Sequence, residues 1–381
     1  KLAHMSEVDA RTLGTRIREA RERAGLSQGQ LAELAGSERT VINKVEAGVR
    51  KVSALELSDI AEALDVRMAS FFREPTPALI AHRMGQDRDA VDSRIDRLIE
   101  ALAHDVEFLD SLAPQPLGLV EALDRLRDAG LQSPGTVSEA DALAGGARQL
   151  VGLNQEEPAH DLVGLVSRVG LMAFSMDLGV DAADAATILL RSGGVSLVNS
   201  HNKVGRRRLA LAHELGHYLA QDQYTVDWRV ADHANEDIEA RLDRFARSFL
   251  LPETGLRKSW GLNAHRELRD LGVILGSEYR VDMSTLARRA RELDLVGGQE
   301  AEFLRSVKTT KADFIEFGLH MEPEMEGVTL PRPYQLAVVR LVREERISRE
   351  RALELLLDTF TEADLPAIRV RRENEIWNFV S

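Results

Sequence analysis

One short segment, residues 209–219, constrains this chain more than any other. It reads Leu-Ala-Leu-Ala-His-Glu-Leu-Gly-His-Tyr-Leu, an apolar, helix-forming run that contains His-Glu-x-x-His. In a helix, side chains at positions i and i+4 lie on the same face. His213 and His217 can therefore offer two imidazole nitrogens to one metal ion, with Glu214 beside the first ligand. We predict a helix with a zinc site here.

The residue types in this segment suit one kind of chemistry. Zinc lowers the pKa of a bound water, and a neighbouring carboxylate such as Glu214 can take the proton as the water attacks a carbonyl group. The alternative is a chance pattern, which is uncommon in a chain with ten histidines. A metal site can also persist without catalysis, so an active peptidase and a non-catalytic sensor both stay open.

The third metal ligand must come from outside this segment. An extended motif with a third histidine requires Gly at position 220 and His at position 223, whereas the chain has Ala220 and Gln223. A helical run downstream carries Glu239 and Asp243 on one face, at i and i+4. We therefore expect Glu239 to be the third ligand and Asp243 to orient a ligand histidine. Two neighbours also remain open as ligands: His233 and Glu236.

Length and composition limit the class of protein. A chain of 381 residues is too long for one ordinary core, so we expect two or three domains. The absence of cysteine excludes disulfides and thiolate zinc sites and fits a reducing compartment. We find no signal peptide and no apolar run long enough to span a membrane. These features predict a soluble, cytoplasmic protein with no membrane partner.

The charge is unevenly distributed along the chain. The net charge is −13, which by itself argues against a nucleic-acid binder. Residues 11–52, however, hold nine Lys/Arg against five Asp/Glu. A locally basic module on an acidic body is typical of a small DNA-binding domain attached to a larger regulator.

The basic module carries the pattern of four short helices, with serine or glycine at their ends. We predict these helices at 12–24, 28–35, 38–46 and 54–64, with Ser37 as a cap of the third. The run Leu-Ser-Gln-Gly-Gln-Leu-Ala-Glu-Leu-Ala-Gly at 26–36, followed by Val-Ile-Asn-Lys-Val-Glu-Ala-Gly at 41–48, resembles the Xre-type, lambda-repressor-like helix-turn-helix over nearly all of residues 10–72.

This resemblance implies that the third helix enters the major groove of an operator in double-stranded DNA. It implies base-edge contacts from Ser37, Glu38, Arg39 and Asn43, and positions near phosphates for Gln28, Lys44, Arg50 and Lys51. Glu38 counts against this interpretation because a carboxylate repels phosphate. An ordinary helical bundle with solvated charges is the alternative.

The segment between the two motifs has one strong pattern. Apolar residues recur every three or four positions across 89–112, which predicts a long amphipathic helix. This helix could form a homodimer seam, which suits a module that binds two half-sites, or it could pack within the monomer.

Two strands are predicted before the metal helix, at 170–176 and 194–199. Because zinc peptidases often bind substrate as an added antiparallel strand at a sheet edge, we expect the second strand to matter for substrate. Arg206, Arg207 and Arg208 then form a basic turn. This triplet is better explained by pairing with acids or a sheet edge than by binding nucleic acid.

The metal region resembles the ImmA/IrrE-type metallopeptidases over roughly 138–295. The likeness rests on the strand 195–199, the arginine turn, Ala-His-Glu-Leu-Gly-His at 212–217, a helix ending Phe-Ala-x-x-x-Leu-Leu-Pro at 245–252, and the tail 279–290. Family members often have Ala-Asn where this chain has Leu242-Asp243. This difference counts against Glu239 as the third ligand, although Glu239 remains the best candidate. The resemblance implies a protein substrate such as a repressor or antitoxin, since family members cut repressors, and a role in transcription regulation or stress response.

These observations predict a mainly α fold with a small β-sheet (α+β). The expected domains are a helix-turn-helix at 5–76, a helical linker at 77–137, a zincin-like metallopeptidase at 138–295 and a helical regulatory region at 296–381. In the last region, helices are expected at 331–344 and 348–360. The predicted protein is a DNA-binding regulator with a zinc-dependent endopeptidase. A non-catalytic DNA-binding regulator or antitoxin, whose zinc fold senses a ligand or partner, is the alternative.

Overall fold

A computed structural model describes residues 9–24, 26–64, 66, 68–72, 80–82, 91–220, 232–320 and 322–367. The chain divides into two compact units. The first contains residues 1–76 and 89–97, and the second contains 77–88 and 98–381. Within the described segments, no helix is both long enough and apolar enough to cross a membrane.

Four helices form the core of the first unit: α1 (Ala10–Arg23), α2 (Gln28–Leu34), α3 (Arg39–Glu46) and α4 (Ala54–Ala63). The serines before α2 and α4 cap them as predicted, each in a reciprocal capping box. The predicted cap of α3 is wrong. Its N-cap is Glu38, which makes no side-chain capping bond. A single apolar cluster that includes Ile17, Leu31 and Ile42 holds the helices together.

A longer helix, α5 (Val91–Leu112), has residues in both units. It confirms the amphipathic helix predicted from apolar spacing. The remaining helices belong to the second unit: α6 (Pro114–Leu117), α7 (Leu119–Ala129), α8 (Val137–Leu150), α9 (Leu162–Ser167), α10 (Val204–Ala220), α11 (Asp232–Leu250), α12 (Glu253–Leu262), α13 (Leu268–Glu278), α14 (Met283–Glu292), α15 (Gly298–Ser306), α16 (Lys311–Glu316), α17 (Arg332–Arg343) and α18 (Arg349–Leu355).

The second unit also contains a four-stranded sheet. Its strands are β1 (Ile80–His82), β2 (Leu171–Met176), β3 (Ala185–Leu190) and β4 (Gly193–Asn199), in the order β1-β3-β4-β2. β4 pairs parallel with β2 and antiparallel with β3, and β1 pairs antiparallel with β3. The mainly α fold with a small sheet is thus confirmed.

The strand expected at a sheet edge is not at an edge. β4 corresponds to the predicted strand 194–199, but it lies between β2 and β3. The reason is β3, which the sequence pattern did not predict, because Ala-Ala-Thr-Ile-Leu-Leu lacks the alternation of a half-buried strand. The outer side of β3, not β4, faces β1.

The main core lies between one face of the sheet and the helices α8, α10 and α11. It includes Ala173 of β2, Val198 of β4, Leu215 of α10 and Phe249 of α11. The opposite face of the sheet also contacts a helix, since Phe174 packs edge-on against Tyr334 of α17 with ring centroids 5.0 Å apart. The sheet is therefore a buried platform beneath α10.

The C-terminal helices are part of the second unit. The helix predicted at 331–344 is confirmed as α17. The helix predicted at 348–360 begins as expected, with Ser348 as its cap, but α18 ends at Leu355. Leu357 and Asp358 follow with φ of 51° and 55°, and this left-handed backbone cannot continue an α-helix.

The apolar face of α5 is buried within the chain. Leu102, Val106 and Leu109 are each at most 2% exposed. On the same helix, Asp105 forms an ion pair with Arg351 of α18 at 2.8 Å, and the guanidinium of Arg351 lies over the ring of Phe108. This arrangement favours packing within the monomer over the homodimer seam.

Candidate metal centre and DNA-binding surface

Helix α10 delivers the first half of the candidate metal centre. Its central residues His213 and Glu214 are each 1% exposed, because the helix packs against both the sheet and α11. The helix begins at Val204, so the arginines at 206–208 lie in its first two turns and not in a turn before it.

Each of these arginines has a structural role. Arg206 pairs with Asp184 at 2.8 Å, and the buried Arg208 pairs with Glu324. Arg207 donates to the backbone carbonyls of Ser200 and Asn202. The predicted pairing with acids is confirmed for Arg206 and Arg208.

Helix α11 delivers the second half of the centre. Its close approach to α10 depends on Gly216, where a Cβ would lie 2.9 Å from Cδ1 of Phe245 and 3.1 Å from Cδ2 of Leu242. The approach brings Glu239 and Asp243 to the histidines of α10. The side chains of His233 and Glu236 lie outside the part of the chain that is described.

Two histidine nitrogens and the two carboxylate oxygens of Glu239 lie close together. Nε2 of His213 lies 3.1 Å from Nε2 of His217 and 3.0 Å from Oε2 of Glu239. His217 Nε2 lies 3.3 Å from Oε1 of Glu239. Within the described segments, these residues are the one group of three with the spacing of a metal site.

This arrangement fits a zinc ion. Bonds of about 2.0–2.2 Å place adjacent ligands of a tetrahedral zinc roughly 3.3–3.6 Å apart. The observed spacings of 3.0 to 3.3 Å need only a small expansion. Two imidazoles and one carboxylate are also a ligand set that leaves a fourth position for water, which is typical of catalytic zinc.

Asp243 determines which nitrogen of His213 faces the centre. Its Oδ1 lies 3.0 Å from Nδ1 of His213. A carboxylate can only accept, so Nδ1 carries the proton, and in the neutral ring Nε2 keeps its lone pair for a metal. If the ring were neutral and no metal ion were bound, that lone pair would point at the lone pairs of the Glu239 carboxylate, and the two would repel each other.

The charges at the site favour a cation. Burial opposes charge on His213, but hydrogen bonds to Asp243 and Glu239 outweigh it and raise the pKa of His213 to about 9. Burial likewise opposes charge on Glu239, but hydrogen bonds to His213 and His217 hold its pKa well below the ordinary value. Glu239 keeps 41% of its side chain exposed, so the centre opens to solvent.

Glu214 has the environment of a reactive carboxylate. Its Oε2 is buried and has no hydrogen-bond partner among the described residues. It lies one turn before Tyr218 and shares its face of α10. Because a Cβ on Gly194 would lie 3.0 Å from the Tyr218 ring, this face is turned toward the sheet.

Two hydroxyls on the sheet, which sequence reasoning missed, are expected at about the level of Glu214 from the rise of the strand and of the helix. Thr187 and Ser196 are direct cross-strand partners on β3 and β4. Both are buried, and both hydroxyls lack partners among the described residues. Ser196 is two residues beyond Gly194, about 6.6 Å along the strand, and Glu214 is four residues before Tyr218, about 6.0 Å along the helix. Only the strand pairing could have revealed this pair.

The helix-turn-helix residues fall into two groups. Arg39, Asn43, Lys44 and Lys51 are exposed, as is Glu38. The second group consists of residues whose side chains are only half exposed: Ser37, Gln28 and Arg50. Arg50 pairs with Glu56 at 2.7 Å.

A buried ion pair that the sequence analysis missed supports this surface. Arg21 contacts Glu46 through two bonds of 2.6 and 3.1 Å. Gln28 donates to the same Glu46 at 2.8 Å and accepts from Asn43 at 3.3 Å. The first turns of α2 and the middle of α3 are thereby fixed to each other.

Comparison with known families identifies both parts of the chain. Residues 17–71 match the helix-turn-helix family, and residues 166–291 match the IrrE N-terminal-like domain. Comparison with curated proteins gives no match. The chain therefore joins a DNA-binding domain to a peptidase-like domain. More specifically, it is a fusion of an Xre-like helix-turn-helix with an ImmA/IrrE-like domain.

Proposed function

We propose that this chain is a DNA-binding transcriptional regulator whose second domain is a zinc-dependent endopeptidase that cleaves a regulatory protein, such as a repressor or antitoxin. One observation carries the catalytic part. Nε2 of His213 and Nε2 of His217 lie 3.1 Å apart, and each lies within 3.3 Å of one of the two carboxylate oxygens of Glu239. The adjacent Glu214 is buried with an oxygen that has no partner among the described residues. A purely structural ion cluster would not require Glu214.

In the proposed mechanism, His213, His217 and Glu239 hold the metal. Bound zinc supplies a Lewis acid that polarises the scissile carbonyl and lowers the pKa of a bound water. Glu214 accepts the proton of the attacking water and passes it to the departing amine. Asp243 keeps Nδ1 of His213 protonated, so that Nε2 stays available.

The hydroxyls of Thr187 and Ser196 are placed to assist Glu214. They lie on the two central strands, and neither hydroxyl has a hydrogen-bond partner among the described residues. We propose that they donate hydrogen bonds to a water that bridges to the Glu214 carboxylate, and so hold that carboxylate in one orientation. Such positioning matters because proton transfer requires a heavy-atom distance of about 2.6–3.2 Å.

For the first domain, we propose that α3 enters the major groove of an operator. The exposed Arg39 and Asn43 would contact base edges together with Ser37, while Lys44 and Lys51 would lie near phosphates with Gln28 and Arg50. The hydrogen bond from Asn43 to Gln28 supports this proposal because it orients the amide of Asn43 before DNA binds.

The test is a comparison of wild type with Glu214→Gln in the native cell. The substitution leaves the three ligands intact, so both proteins should hold equal zinc. We expect a small set of regulatory proteins to disappear, and new N-termini from them to appear, only with wild type. If no protein distinguishes the two chains at equal expression, the peptidase proposal is wrong and the non-catalytic regulator is favoured.

A further inference from the structure

The side of β3 that faces away from β4 is paired with a segment from much earlier in the chain. β4 occupies one side of β3, and the short strand β1 occupies the other. The region that matches the IrrE-like family, 166–291, includes β2, β3 and β4 but not β1. β1 thus lies outside the matched residues, and it covers a side of β3 that would otherwise present free backbone amides and carbonyls.

The position of β1 relative to the candidate catalytic residues is informative. Ala81 pairs with Thr187, which in turn pairs with Ser196. From the rise of the strand and of the helix, we expect this row to cross the sheet at about the level of Glu214. The backbone of β1 therefore passes the place where a peptide added to β3 would come closest to Glu214.

The pairing of β1 is of a kind that another peptide can reproduce. β1 runs antiparallel to β3 over three residue pairs: Ile80 with Ile188, Ala81 with Thr187, and His82 with Ala186. Such pairing depends on main-chain hydrogen bonds and not on side-chain identity. The same main-chain hydrogen bonds are open in principle to another extended peptide of similar length.

We propose that the chain's own segment Ile80–His82 blocks, in cis, the edge of β3 on which a zinc peptidase would take an extended substrate peptide as an added strand. This inference rests on the proposed peptidase function and adds a self-blocking contact to it. A substrate must displace β1, so its apparent affinity falls by the fraction of molecules in which the edge is free. Because β1 is tethered to the domain, its effective concentration is on the order of millimolar. A free peptide in solution therefore competes poorly with it.

The first test measures coverage of the edge without any need for catalysis. The double variant Ile80→Pro/Ala81→Pro removes two adjacent backbone amides, which point to opposite sides of a strand, so one of them faces β3. The control Ile80→Thr/Ala81→Ser keeps both amides. By hydrogen exchange with mass spectrometry, we expect the amides of β3 to exchange about tenfold faster in the proline variant only. Equal exchange in wild type, control and proline variant would overturn the proposal.

The second test adds the covering segment in trans. A fluorescent peptide with the sequence of residues 77–88 is titrated into chains that carry Glu214→Gln, with and without the two prolines. We expect saturable binding to the proline variant and at least tenfold weaker binding to its parent. Zinc content should be equal in both, which checks folding. Equal binding to both chains, or binding to neither, would contradict the proposal.

Together, these tests distinguish failure of the edge proposal from failure of the catalytic proposal. A chain without peptidase activity can still show faster exchange and peptide binding, in which case the edge is a docking surface and the catalytic proposal fails alone. If wild type cleaves substrate but the prolines change neither exchange nor peptide binding, the catalytic proposal stands and the edge proposal is wrong.

Discussion

We expect metal binding at the candidate centre to depend strongly on one residue outside the ligand set, Asp243. Its carboxylate holds Nδ1 of His213 at 3.0 Å. We predict that Asp243→Asn lowers zinc affinity about 10- to 100-fold while leaving the fold intact, since partners of this kind typically have effects of that size. Competition with a chelator of known affinity measures the change. Unaltered affinity would mean that the orientation of His213 is fixed by packing alone.

The protonation of His213 predicts how zinc binding depends on pH. In the metal-free protein the pKa of His213 is about 9, so at pH 7 the ring is charged and must lose a proton before it can bind zinc. We expect His213 to contribute about one released proton per zinc at pH 7 and affinity to rise about tenfold per pH unit up to about pH 9. Calorimetry in two buffers of different ionisation enthalpy measures this release.

The same shift has a consequence for the stability of the metal-free protein. The pKa of His213 is raised above its ordinary value in the folded state, so the charged ring stabilises the metal-free fold at pH values below its ordinary pKa. This contribution is lost as pH rises toward 9. Metal-free protein should therefore unfold more easily at pH 9 than at pH 6 through this group, and Asp243→Asn should reduce the difference.

Several of these residues could be predicted from sequence, for a physical reason. The helix period alone places His213 and His217 together, and it pairs Glu239 with Asp243. The structure brings all four together. Thr187 and Ser196 could not be found this way, because their proximity depends on the register between β3 and β4. The Arg21–Glu46 pair, 25 residues apart in the chain, depends likewise on how α1 packs against α3.

At the scale of elements, the contact between α10 and α11 sets the geometry of the centre. We predict that Gly216→Ala destabilises the fold by about 1–3 kcal/mol and weakens zinc binding, because its Cβ would lie 2.9 Å from the ring of Phe245. Gly261→Ala is the matched control, since a Cβ there would meet no described atom within 4 Å. Thermal unfolding and zinc titration should separate the two. Equal behaviour would contradict the proposed role of this contact.

The proposed role of α3 in binding DNA leads to a separate prediction. If α3 enters the major groove, Arg39→Ala should cost about 1–3 kcal/mol of specific affinity and relax base preference. Lys51→Ala should weaken all sequences alike and reduce the salt dependence. Operator selection from a random pool, followed by titration at several salt concentrations, measures both. The prediction fails if the two variants behave identically.

Element boundaries were less predictable than element identity. The helices of the first unit were predicted to within a few residues because serine caps and glycine ends mark them. β3 was missed, and with it the interior position of β4. β3 was missed because it is largely buried and, like other strands covered on both faces, does not alternate in polarity.

At the scale of the whole molecule, the division into two units agrees with the basic N-terminal module and the acidic remainder. The role of the C-terminal helices was not predictable, because it depends on contacts between distant parts of the chain. Tyr334 packs on Phe174, and Arg351 pairs with Asp105. Neither contact leaves a periodic pattern, and together they show that residues beyond 296 complete the second unit.

The central claim is that His213, His217 and Glu239 form a zinc centre. The most direct test is the zinc affinity and stoichiometry of wild type, His213→Ala, Glu239→Ala and Asp237→Ala. Asp237 is exposed on the same helix as Glu239 and serves as the matched control. We predict about one tightly bound zinc in wild type and Asp237→Ala, and a loss of at least 100-fold in affinity in the other two. Full zinc occupancy in His213→Ala and Glu239→Ala, or equal losses in Glu239→Ala and Asp237→Ala, would contradict the assignment.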